Sequence, residues 1–599
     1  MNYTENNIQL VESKEYKCNL YNEIKLTKEQ KIIYNQLMNF IQNKTDNEIL
    51  LIGYAGTGKT TLMAKFINDL VDKKISQRIV MAAPTHKAVN IGKSKLFPNQ
   101  EKDYSKLTKT INIMTIHRLL NYQLYIDQEG QKFFAKGKVE PNWSIYDLIV
   151  IDECSMLSNQ IIKDIKELIM KNTNSGVKVI YVGDPAQLPP VNQSDSKIFN
   201  DNIKKLSLDK IIRTSNQMIM ELSNSHRNWI FSKKNNDIPH VGDYESEDIK
   251  LYSIDDKETK KWLDDFVKLI KTNNKIKIFK TNDLDSGLNI ISKPELESKQ
   301  EQEQEPESES NPESELIDNH NNNIILTWTN KKSNLYNQYV REHIFNKKNL
   351  AQWEIGEILI FNDFHRINVS KQDNVDNVDN VNEQEIINFY TSEQVKLVGI
   401  NQITYKFEPL KFKINNDITT ELNDKFKKYY KKINQLFSNE TIDIYEMHVQ
   451  KIIDLKEINL KEINDTIIPE YTILSIHKNS ENKHNIIITK IENYIGDLKT
   501  SCYKLINKSN FNNMKKCDIQ SEVEKKINKL YKEFQSNIIE CFAELNYGYC
   551  ITVHKSQGST FKNVFIDMND ILSNNNINET SKCLYTSITR SSKTLKLLI

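Results

Sequence analysis

The segment Gly53–Thr60, GYAGTGKT, combines the residue types that hold a nucleoside triphosphate. Its glycines allow successive backbone N–H groups to point at phosphate oxygens, at the start of the helix that the following residues predict. Lys59 can reach the β- and γ-phosphates, and the Thr60 hydroxyl can bind Mg²⁺. The nucleotide-binding residues expected from this segment are Gly53, Gly56, Thr57, Gly58, Lys59, Thr60 and the adjacent Thr61.

A pair of carboxylates, Asp152 and Glu153, follows the apolar run Leu148–Ile151. In an enzyme with a phosphate-binding loop, such a pair completes the chemistry. Asp152 would hold the Mg²⁺ together with Thr60, and Glu153 would polarise the attacking water. A second interpretation is that the pair only caps the helical turn that follows it.

The sequence contains four continuous apolar runs. One precedes the phosphate-binding loop, one precedes the Asp152–Glu153 pair, and the other two precede further candidate site residues. Such runs predict strands buried on both faces of a parallel sheet, and hence an α/β fold. Ligands of α/β folds bind at the carboxyl ends of the strands, so the residues after each run should lie together. The four runs are Ile49–Ile52, Ile79–Ala82, Leu148–Ile151 and Val179–Val182.

Beyond the phosphate-binding loop, the order of short motifs resembles that of superfamily 1 helicases of the RecD and Dda type. The motifs occur in the family's order along nearly the whole chain. The matching segments are Ala83–Ala88 (motif Ia), Thr115–Leu119 (Ib), Asp152–Leu157 (II), Gly183–Val191 (III), Arg213 (IV), Thr552–Gly558 (V) and Tyr585–Arg590 (VI).

The resemblance implies an ATP-dependent DNA helicase of the 5′-to-3′ class, called superfamily 1B, with ATP and Mg²⁺ as cofactors. Gln187 would sense the γ-phosphate, and Arg213 and Arg590 would stabilise charge in the transition state. Gly558 would also contact the nucleotide. Gln30 resembles the family's adenine-recognising glutamine, although Thr27-x-x-Gln30 also has the spacing of a helix capping box.

Motifs Ia, Ib and V are expected to form the nucleic-acid track. Their hydroxyls, imidazoles and lysine suit phosphate and sugar contacts, which bind without reading sequence. The implied partners are single-stranded DNA, junctions of single- and double-stranded DNA, and replication or repair proteins, with the motor acting as a monomer. The track residues are Pro84, Thr85, His86, Thr115, His117, Thr552, His554 and Lys555.

A hairpin is predicted directly after motif Ib, because strand-like residues of Tyr122–Lys138 flank the turn Asp127–Gly130. Helicases of the Dda type carry a duplex-parting pin at this place. By that resemblance Phe133 or Phe134 would stack on the displaced base pair. The competing interpretation is that both aromatic rings belong to a small local core.

The expected architecture is two RecA-like P-loop domains with parallel sheets, a pin hairpin, and an inserted module that is SH3-like and helical. An acidic, low-complexity linker is expected at about 285–323, where a packed core cannot form. The expected divisions are residues 1–230 for the first domain with its pin at about 119–140, 231–349 for the start of the second, 350–540 for the insert and 541–599 for the remainder.

Composition narrows the class of protein further. The seven cysteines contain no CxxC pair, which argues against a zinc site or a disulfide framework. No apolar run is long enough for a spanning helix, and the N-terminus lacks the features of a signal peptide. We therefore expect a soluble intracellular protein without a membrane partner, at a site of DNA metabolism.

Two alternatives to a DNA helicase stay open. One is an RNA helicase of the same superfamily, although GYAGTGKT and DECSM favour DNA. The other is a catalytically idle subunit that only binds nucleic acid. The presence of Lys59, Glu153 and Arg590 argues against an idle motor.

Overall fold

The computed structural model divides the chain into two compact units, Met1–Ser215 (unit 1) and Asn216–Ile599 (unit 2). The expected linker at 285–323 lies outside the described residues, apart from Asn323. The structure describes residues 25–43, 45–97, 110–126, 132–137, 140–172, 176–190, 193–212, 216–232, 238–273, 323–370, 384–410, 419–452, 469–509 and 513–599.

Unit 1 is built around a six-stranded sheet whose strands pair in the order β3-β2-β6-β7-β1-β8. Every pairing in it is parallel, as the apolar runs predicted. The elements are α1 (Lys28–Gln42), β1 (Glu48–Gly53), α2 (Lys59–Asp72), β2 (Ile79–Ala83), α3 (His86–Leu96), β3 (Ile111–Thr115), α4 (Ile116–Leu119), β4 (Tyr122–Ile126), β5 (Lys132–Lys136), β6 (Leu148–Ile151), α5 (Asn159–Lys171), β7 (Lys178–Gly183) and β8 (Lys204–Leu208).

Both faces of this sheet are buried, which explains why its strands read as unbroken apolar runs. Ile49 and Leu51 of β1 point into one core, which they share with Leu62 and Phe66 of α2. Leu50 points to the opposite face, into the core formed with α5. Fully burying one such side chain contributes about 1.5–3 kcal/mol, so the sheet rigidly positions the loops at its strand ends.

The predicted hairpin is present as the antiparallel pair β4–β5. Tyr122 is opposite Lys136, Leu124 is opposite Phe134, and Tyr125 is opposite Phe133. The turn between the two strands and the side chains of Phe133 and Phe134 lie outside the described residues.

Unit 2 contains a second parallel sheet, with the strand order β18-β10-β19-β20-β9. The prediction of two parallel α/β sheets is therefore confirmed. Its elements are α6 (Gln217–Phe231), β9 (Ile249–Tyr252), α7 (Asp256–Asn273), β10 (Asn323–Thr327), α8 (Asn330–Phe345), β18 (Cys550–Thr552), β19 (Phe561–Asp567), α12 (Met568–Leu572), α13 (Ile577–Ile588) and β20 (Ser591–Leu598).

The division between the units falls earlier in the chain than the boundary that we expected at residue 230. Helix α6 packs on α13, and Arg227 of α6 donates to the Tyr585 hydroxyl at 3.4 Å. Strand β9 then forms an edge of the second sheet beside β20. The helix belongs to unit 2 because its buried face, including Leu222 and Arg227, is covered there.

The inserted region combines strands and long helices. Its antiparallel sheet has the order β16-β15-β14-β11-β17, and β12 pairs with β13 in a separate hairpin. The elements are β11 (Ile358–Phe361), β12 (His365–Ser370), β13 (Gln384–Phe389), β14 (Gln394–Lys406), α9 (Thr420–Asn439), β15 (Thr441–Lys451), β16 (Glu470–Ile476), α10 (Lys478–Lys508), α11 (Asn513–Phe534) and β17 (Leu545–Tyr547).

The three helices α9, α10 and α11 share a core of their own, which includes Phe426, Ile433, Ile491 and Leu530. Helix α9 connects β14 to β15, whereas α10 and α11 connect β16 to β17. The insert is thus both β-rich and helical, as its sequence indicated. Among the described residues, no helix is sufficiently long and apolar to cross a bilayer.

Candidate functional site

The phosphate-binding loop connects β1 to α2 at the carboxyl edge of the unit 1 sheet. Gly56 and Gly58 have φ angles of +80° and +77°, a conformation that glycine adopts without steric cost. The Lys59 ammonium donates to the carbonyl oxygens of Gly53 at 2.8 Å and Tyr54 at 2.9 Å. The lysine therefore lies across its own loop, where its charge is available to a phosphate.

The side chains of Ile212 and Gln30 pack closely against Gly58. A Cβ atom at Gly58 would lie 2.8 Å from Ile212 Cδ1 and 2.9 Å from Gln30 Nε2. We expect Gly58→Ala to lower the free energy of unfolding by about 1–2 kcal/mol for the left-handed backbone and by a further 1–3 kcal/mol or so for overpacking. ATP binding should also be lost. Urea unfolding and titration with an ATP analogue measure the two effects.

Gly176→Ala is the matched control for this prediction. Gly176 has a similar φ of +72°, but no atom lies within 4 Å of the position of an added Cβ. This variant should show only the backbone cost and should keep ATP binding. Equal losses of stability in the two variants, with ATP binding retained in both, would contradict the importance of the close packing at Gly58.

Gln30 forms the capping box that its spacing from Thr27 predicts. The Thr27 N–H donates to Gln30 Oε1 at 3.1 Å, and the Gln30 N–H donates to Thr27 Oγ1 at 3.2 Å, which is a complete capping box. In the same structure Gln30 Nε2 donates to the Thr57 carbonyl oxygen at 3.0 Å. The side chain thus touches the phosphate-binding loop while it caps α1.

Thr60 and Asp152 come together, as expected of a Mg²⁺ site. The Thr60 hydroxyl donates to Asp152 Oδ2 at 3.0 Å, and Asp152 Oδ1 accepts from the Glu153 N–H at 2.9 Å. Burial and the neighbouring charge of Glu153 raise the pKa of Asp152 to about 6. A hydroxyl and a carboxylate at this spacing offer the oxygen ligands that Mg²⁺ prefers, so the residues fit the ion.

Glu153 has a left-handed backbone, with φ 52° and ψ 42°. This conformation is costly for a residue with a Cβ and is typically retained at functional sites. The Glu153 side chain makes no capping hydrogen bond to the 3₁₀ turn Cys154–Met156. The structure therefore does not support the interpretation of Glu153 as only a helix cap.

Motif III packs directly against motif II. A Cβ atom at Gly183, the last residue of β7, would lie 2.6 Å from Cys154 Sγ. Gln187 is buried in the turn that follows, where its N–H donates to the Asp184 carbonyl oxygen at 3.1 Å. The tight contact at Gly183 fixes the position of this turn next to the Asp152–Glu153 pair.

Arg213 lies outside the described residues, but the segment that leads to it is held in place. The Ile212 N–H donates to the Gly56 carbonyl oxygen at 2.8 Å. The Glu29 carboxylate accepts from the N–H groups of Asp209 at 2.8 Å and Lys210 at 3.1 Å. Sequence analysis did not identify Glu29, although its position beside Gln30 could have drawn attention to it.

The hydroxyl groups of motifs Ia and Ib cap helices. Thr85 Oγ1 accepts from the Ala88 N–H at 3.2 Å, and Thr115 Oγ1 accepts from the Arg118 N–H at 3.3 Å. Pro84 and His86 lie on either side of Thr85, at the end of β2. Both motifs thus place a helix N-terminus, which favours anionic groups, after a strand of the sheet.

His117 of motif Ib is half-buried, and burial lowers the pKa of its imidazole. Its ring meets the Tyr122 ring edge to face, with 5.7 Å between centroids. His117 therefore connects motif Ib to the first residue of the hairpin.

Motif V lies at the end of β18 in unit 2. Thr552 is buried, and Lys555 Nζ donates to Asn362 Oδ1 at 2.9 Å. Burial lowers the pKa of both His554 and Lys555. His554 Nε2 lies 3.8 Å from Glu579 Oε1, so these side chains are already engaged within the unit.

Arg590 connects motif VI to motif V. Its side chain is buried, with Nε donating to the Thr586 carbonyl oxygen at 3.1 Å and Nη1 donating to the Ser559 carbonyl oxygen at 3.2 Å. Gly558, which precedes Ser559, has a φ of +76°. The arginine thus contacts the backbone carbonyl group of Ser559, the residue directly after motif V.

Two family models match parts of the chain. Residues 25–229 match the family model described as an AAA domain, and residues 547–598 match the UvrD-like helicase C-terminal domain. The RecBCD enzyme subunit RecD of Buchnera aphidicola subsp. Schizaphis graminum is 31% identical over 197 residues, which are 32% of this chain. The match covers only 30% of that RecD's length.

Two further similarities extend along most of the chain. The uncharacterized protein R530 of Acanthamoeba polyphaga mimivirus is 28% identical over 95% of this chain and 99% of its own. The crystal structure of Pif1 helicase from Candida albicans covers 96% of this chain and 95% of its own, at 14% identity and a TM-score of 0.38. Parts of the chain are thus similar to an AAA domain, to the UvrD-like helicase C-terminal domain and to the RecD subunit.

Proposed function

We propose that the protein couples ATP hydrolysis to 5′-to-3′ movement along single-stranded DNA and unwinds duplex DNA at junctions. The observation that carries this proposal is the contact between Thr60 and Asp152, with Glu153 beside them. It joins the phosphate-binding loop to motif II in one site that has the groups needed for hydrolysis.

Within this site each residue has a distinct proposed role. Lys59 neutralises charge on the β- and γ-phosphates, and the N–H groups of the glycine-rich loop bind their oxygens. Thr60 and Asp152 would hold Mg²⁺, which neutralises charge on the phosphates when it is bound. Glu153 orients the attacking water and accepts its proton. Gln30 reads the adenine, and Gln187 senses the γ-phosphate.

We assign transition-state stabilisation to Arg213 and Arg590, because guanidinium groups neutralise charge that develops on phosphoryl oxygens. Gly558 is assigned to the nucleotide because its positive φ positions the loop whose Ser559 carbonyl binds Arg590. A change at this loop would therefore act on Arg590 as well.

The DNA track is assigned to motifs Ia, Ib and V. Helix N-termini at Thr85 and Thr115 suit a phosphate backbone, as do the side chains of His86, His554 and Lys555. Between Asp283 and Asp318 the sequence has twelve acidic residues and two lysines, so the remainder carries a net charge of about +11. That excess of positive charge favours a polyanionic partner.

Steady-state ATP hydrolysis with single-stranded DNA, with RNA and without nucleic acid tests the proposed function. We expect strong stimulation by DNA and weaker stimulation by RNA. Stronger stimulation by RNA would favour an RNA helicase. Hydrolysis that no nucleic acid stimulates would overturn the motor and favour an idle binding subunit. Forked substrates with a 5′ or a 3′ tail then test the direction of movement.

The hairpin β4–β5 is proposed to be the pin. We expect the double variant Phe133→Ala/Phe134→Ala to lower unwinding about tenfold, because stacking on a base contributes about 1–3 kcal/mol. DNA-stimulated ATP hydrolysis should stay near the wild-type rate. Fork unwinding and ATP hydrolysis, measured in parallel, distinguish the two activities.

The variant Phe133→Tyr/Phe134→Tyr is the control, because it retains both aromatic rings and should retain unwinding. Equal losses of unwinding and ATP hydrolysis in the alanine variant would contradict the pin. Such a result would indicate that the two rings belong to a local core of unit 1.

A further inference from the structure

One buried carboxylate joins both strands of the hairpin to helix α5. Tyr122 is the first residue of β4, Lys136 is the last residue of β5, and the two are opposite each other. The Tyr122 hydroxyl and the Lys136 ammonium both donate to Asp164, with 2.6 Å between Lys136 Nζ and Asp164 Oδ1. Gln160, one turn earlier in α5, donates to the same Oδ1 at 2.9 Å.

The buried Asp164 carboxylate requires these donors, because burying a charge without partners is costly. Only 1% of the Asp164 side chain is exposed, on a helix face otherwise formed by Ile161, Ile165 and Leu168. Removing a carboxylate from water costs several kcal/mol unless hydrogen bonds compensate it. Within the part of the chain that the structure describes, two of the three donors to Asp164 come from the hairpin, so the hairpin provides much of the compensation.

The two donors retain their protons at neutral pH. Burial and the hydrogen bond to Asp164 raise the pKa of Tyr122, and Asp164 also raises the pKa of Lys136. Lys136 makes a second ion pair with Glu167, at 3.3 Å. The Glu167 side chain is 45% exposed, and solvent therefore weakens this outer pair.

The hairpin depends on such an anchor for its stiffness. A two-stranded hairpin is only marginally stable in water by itself. At its base, the Gly137 N–H donates to the Asn121 carbonyl oxygen at 2.8 Å, and the Tyr122 ring packs on His117 of motif Ib. Asp164 adds the connection to α5, the helix that follows motif II.

We propose that Asp164 is a positioning residue for strand separation, which fixes the base of the β4–β5 hairpin to the helix that follows the hydrolytic carboxylates. This inference rests on the proposed function of the hairpin as a pin. If the base of the hairpin can rotate, the base pair displaces the hairpin and is not separated. If the base is fixed to α5, the core of unit 1 resists this displacement.

The test compares three single variants with the wild-type protein. Asp164→Ala removes the shared acceptor, Tyr122→Phe removes one donor and retains the ring, and Glu167→Gln changes only the outer ion pair. Each variant is assayed for DNA-stimulated ATP hydrolysis and for unwinding of forks rich in A·T or in G·C pairs. A thermal unfolding profile shows whether each variant is folded.

We expect Asp164→Ala to lower unwinding about tenfold, equivalent to about 1.4 kcal/mol, while ATP hydrolysis stays within about twofold of the wild type. The loss should be larger on G·C forks, because a loosely held pin fails first against stronger pairs. Tyr122→Phe should show a smaller loss with the same preference. Glu167→Gln should unwind both forks like the wild type.

A proportional loss of ATP hydrolysis and unwinding in Asp164→Ala and Tyr122→Phe would overturn the inference, because Asp164 would then only stabilise the fold. Unchanged unwinding in both variants would also overturn it. If Asp164→Ala does not fold, Tyr122→Phe decides between these outcomes. A wild-type protein without DNA-stimulated ATP hydrolysis would instead overturn the proposed function, and this inference with it.

Discussion

Lys59→Ala is expected to lower DNA-stimulated ATP hydrolysis by about a hundredfold to a thousandfold, as losing one preorganised charge-stabilising donor does in other enzymes. The Lys59 ammonium is the positive charge that the phosphate-binding loop itself supplies, and it already lies against the Gly53 and Tyr54 carbonyl oxygens. Alanine removes the charge and both of these hydrogen bonds. Affinity for ATP should therefore fall together with the rate.

Lys65→Ala provides a matched control on the same helix. Lys65 forms an ion pair with Asp69 at 3.3 Å, within α2 and away from the loop. Such pairs contribute about 0–1 kcal/mol, so this variant should hydrolyse ATP like the wild type. Steady-state rates and ATP-analogue titrations measure both variants. If Lys59→Ala retained more than a tenth of the wild-type rate, Lys59 would not have the assigned role.

The parallel sheets could be predicted because a strand that is buried on both faces has a continuous run of apolar residues. One sheet contains all four apolar runs as neighbouring strands, in the order β2-β6-β7-β1. These strands contain Ile79, Leu148, Val179 and Ile49, respectively. Their neighbours along the chain are helices with one apolar face, which pack on either side. Here local pattern and tertiary environment agree.

The pairing of Thr60 with Asp152 could also be predicted, because both follow strands whose carboxyl ends meet at one edge of the sheet. The two contacts of Gln30 could not be distinguished in advance. One contact is local, to Thr27, and the other reaches Thr57, which is 27 residues away. The capping-box spacing predicts only the local contact with Thr27.

Three features could not be predicted, because they depend on contacts between segments that are distant in sequence. Asp164 interrupts the apolar face of α5, which could have indicated a buried partner but not the hairpin. The position of α6 depends on its packing against α13, more than 300 residues later. In the insert, the helix α9 lies between the paired strands β14 and β15 along the chain. Hydrophobic periodicity can indicate each strand but not which strands pair.

Glu153→Gln is expected to separate ATP binding from ATP hydrolysis. The amide has nearly the shape of the carboxylate but cannot accept a proton from water, so the rate should fall by about a hundredfold to ten-thousandfold. Affinity for ATP should change little, because Lys59, Thr60 and Asp152 are unaltered. Single-turnover hydrolysis and ATP-analogue binding measure the two quantities.

Glu153→Gly shows whether the strained backbone is retained for the carboxylate. At φ 52° a residue with a Cβ costs about 1–2 kcal/mol, and glycine does not have this cost. The glycine variant should therefore lose hydrolysis as Glu153→Gln does, yet unfold at the same or a higher urea concentration than the wild type. Lower stability would show that the Glu153 side chain stabilises the fold. Hydrolysis at the wild-type rate in either variant would show that another group activates the water. Loss of hydrolysis without loss of stability is the result expected of a residue kept in a costly conformation for its chemistry.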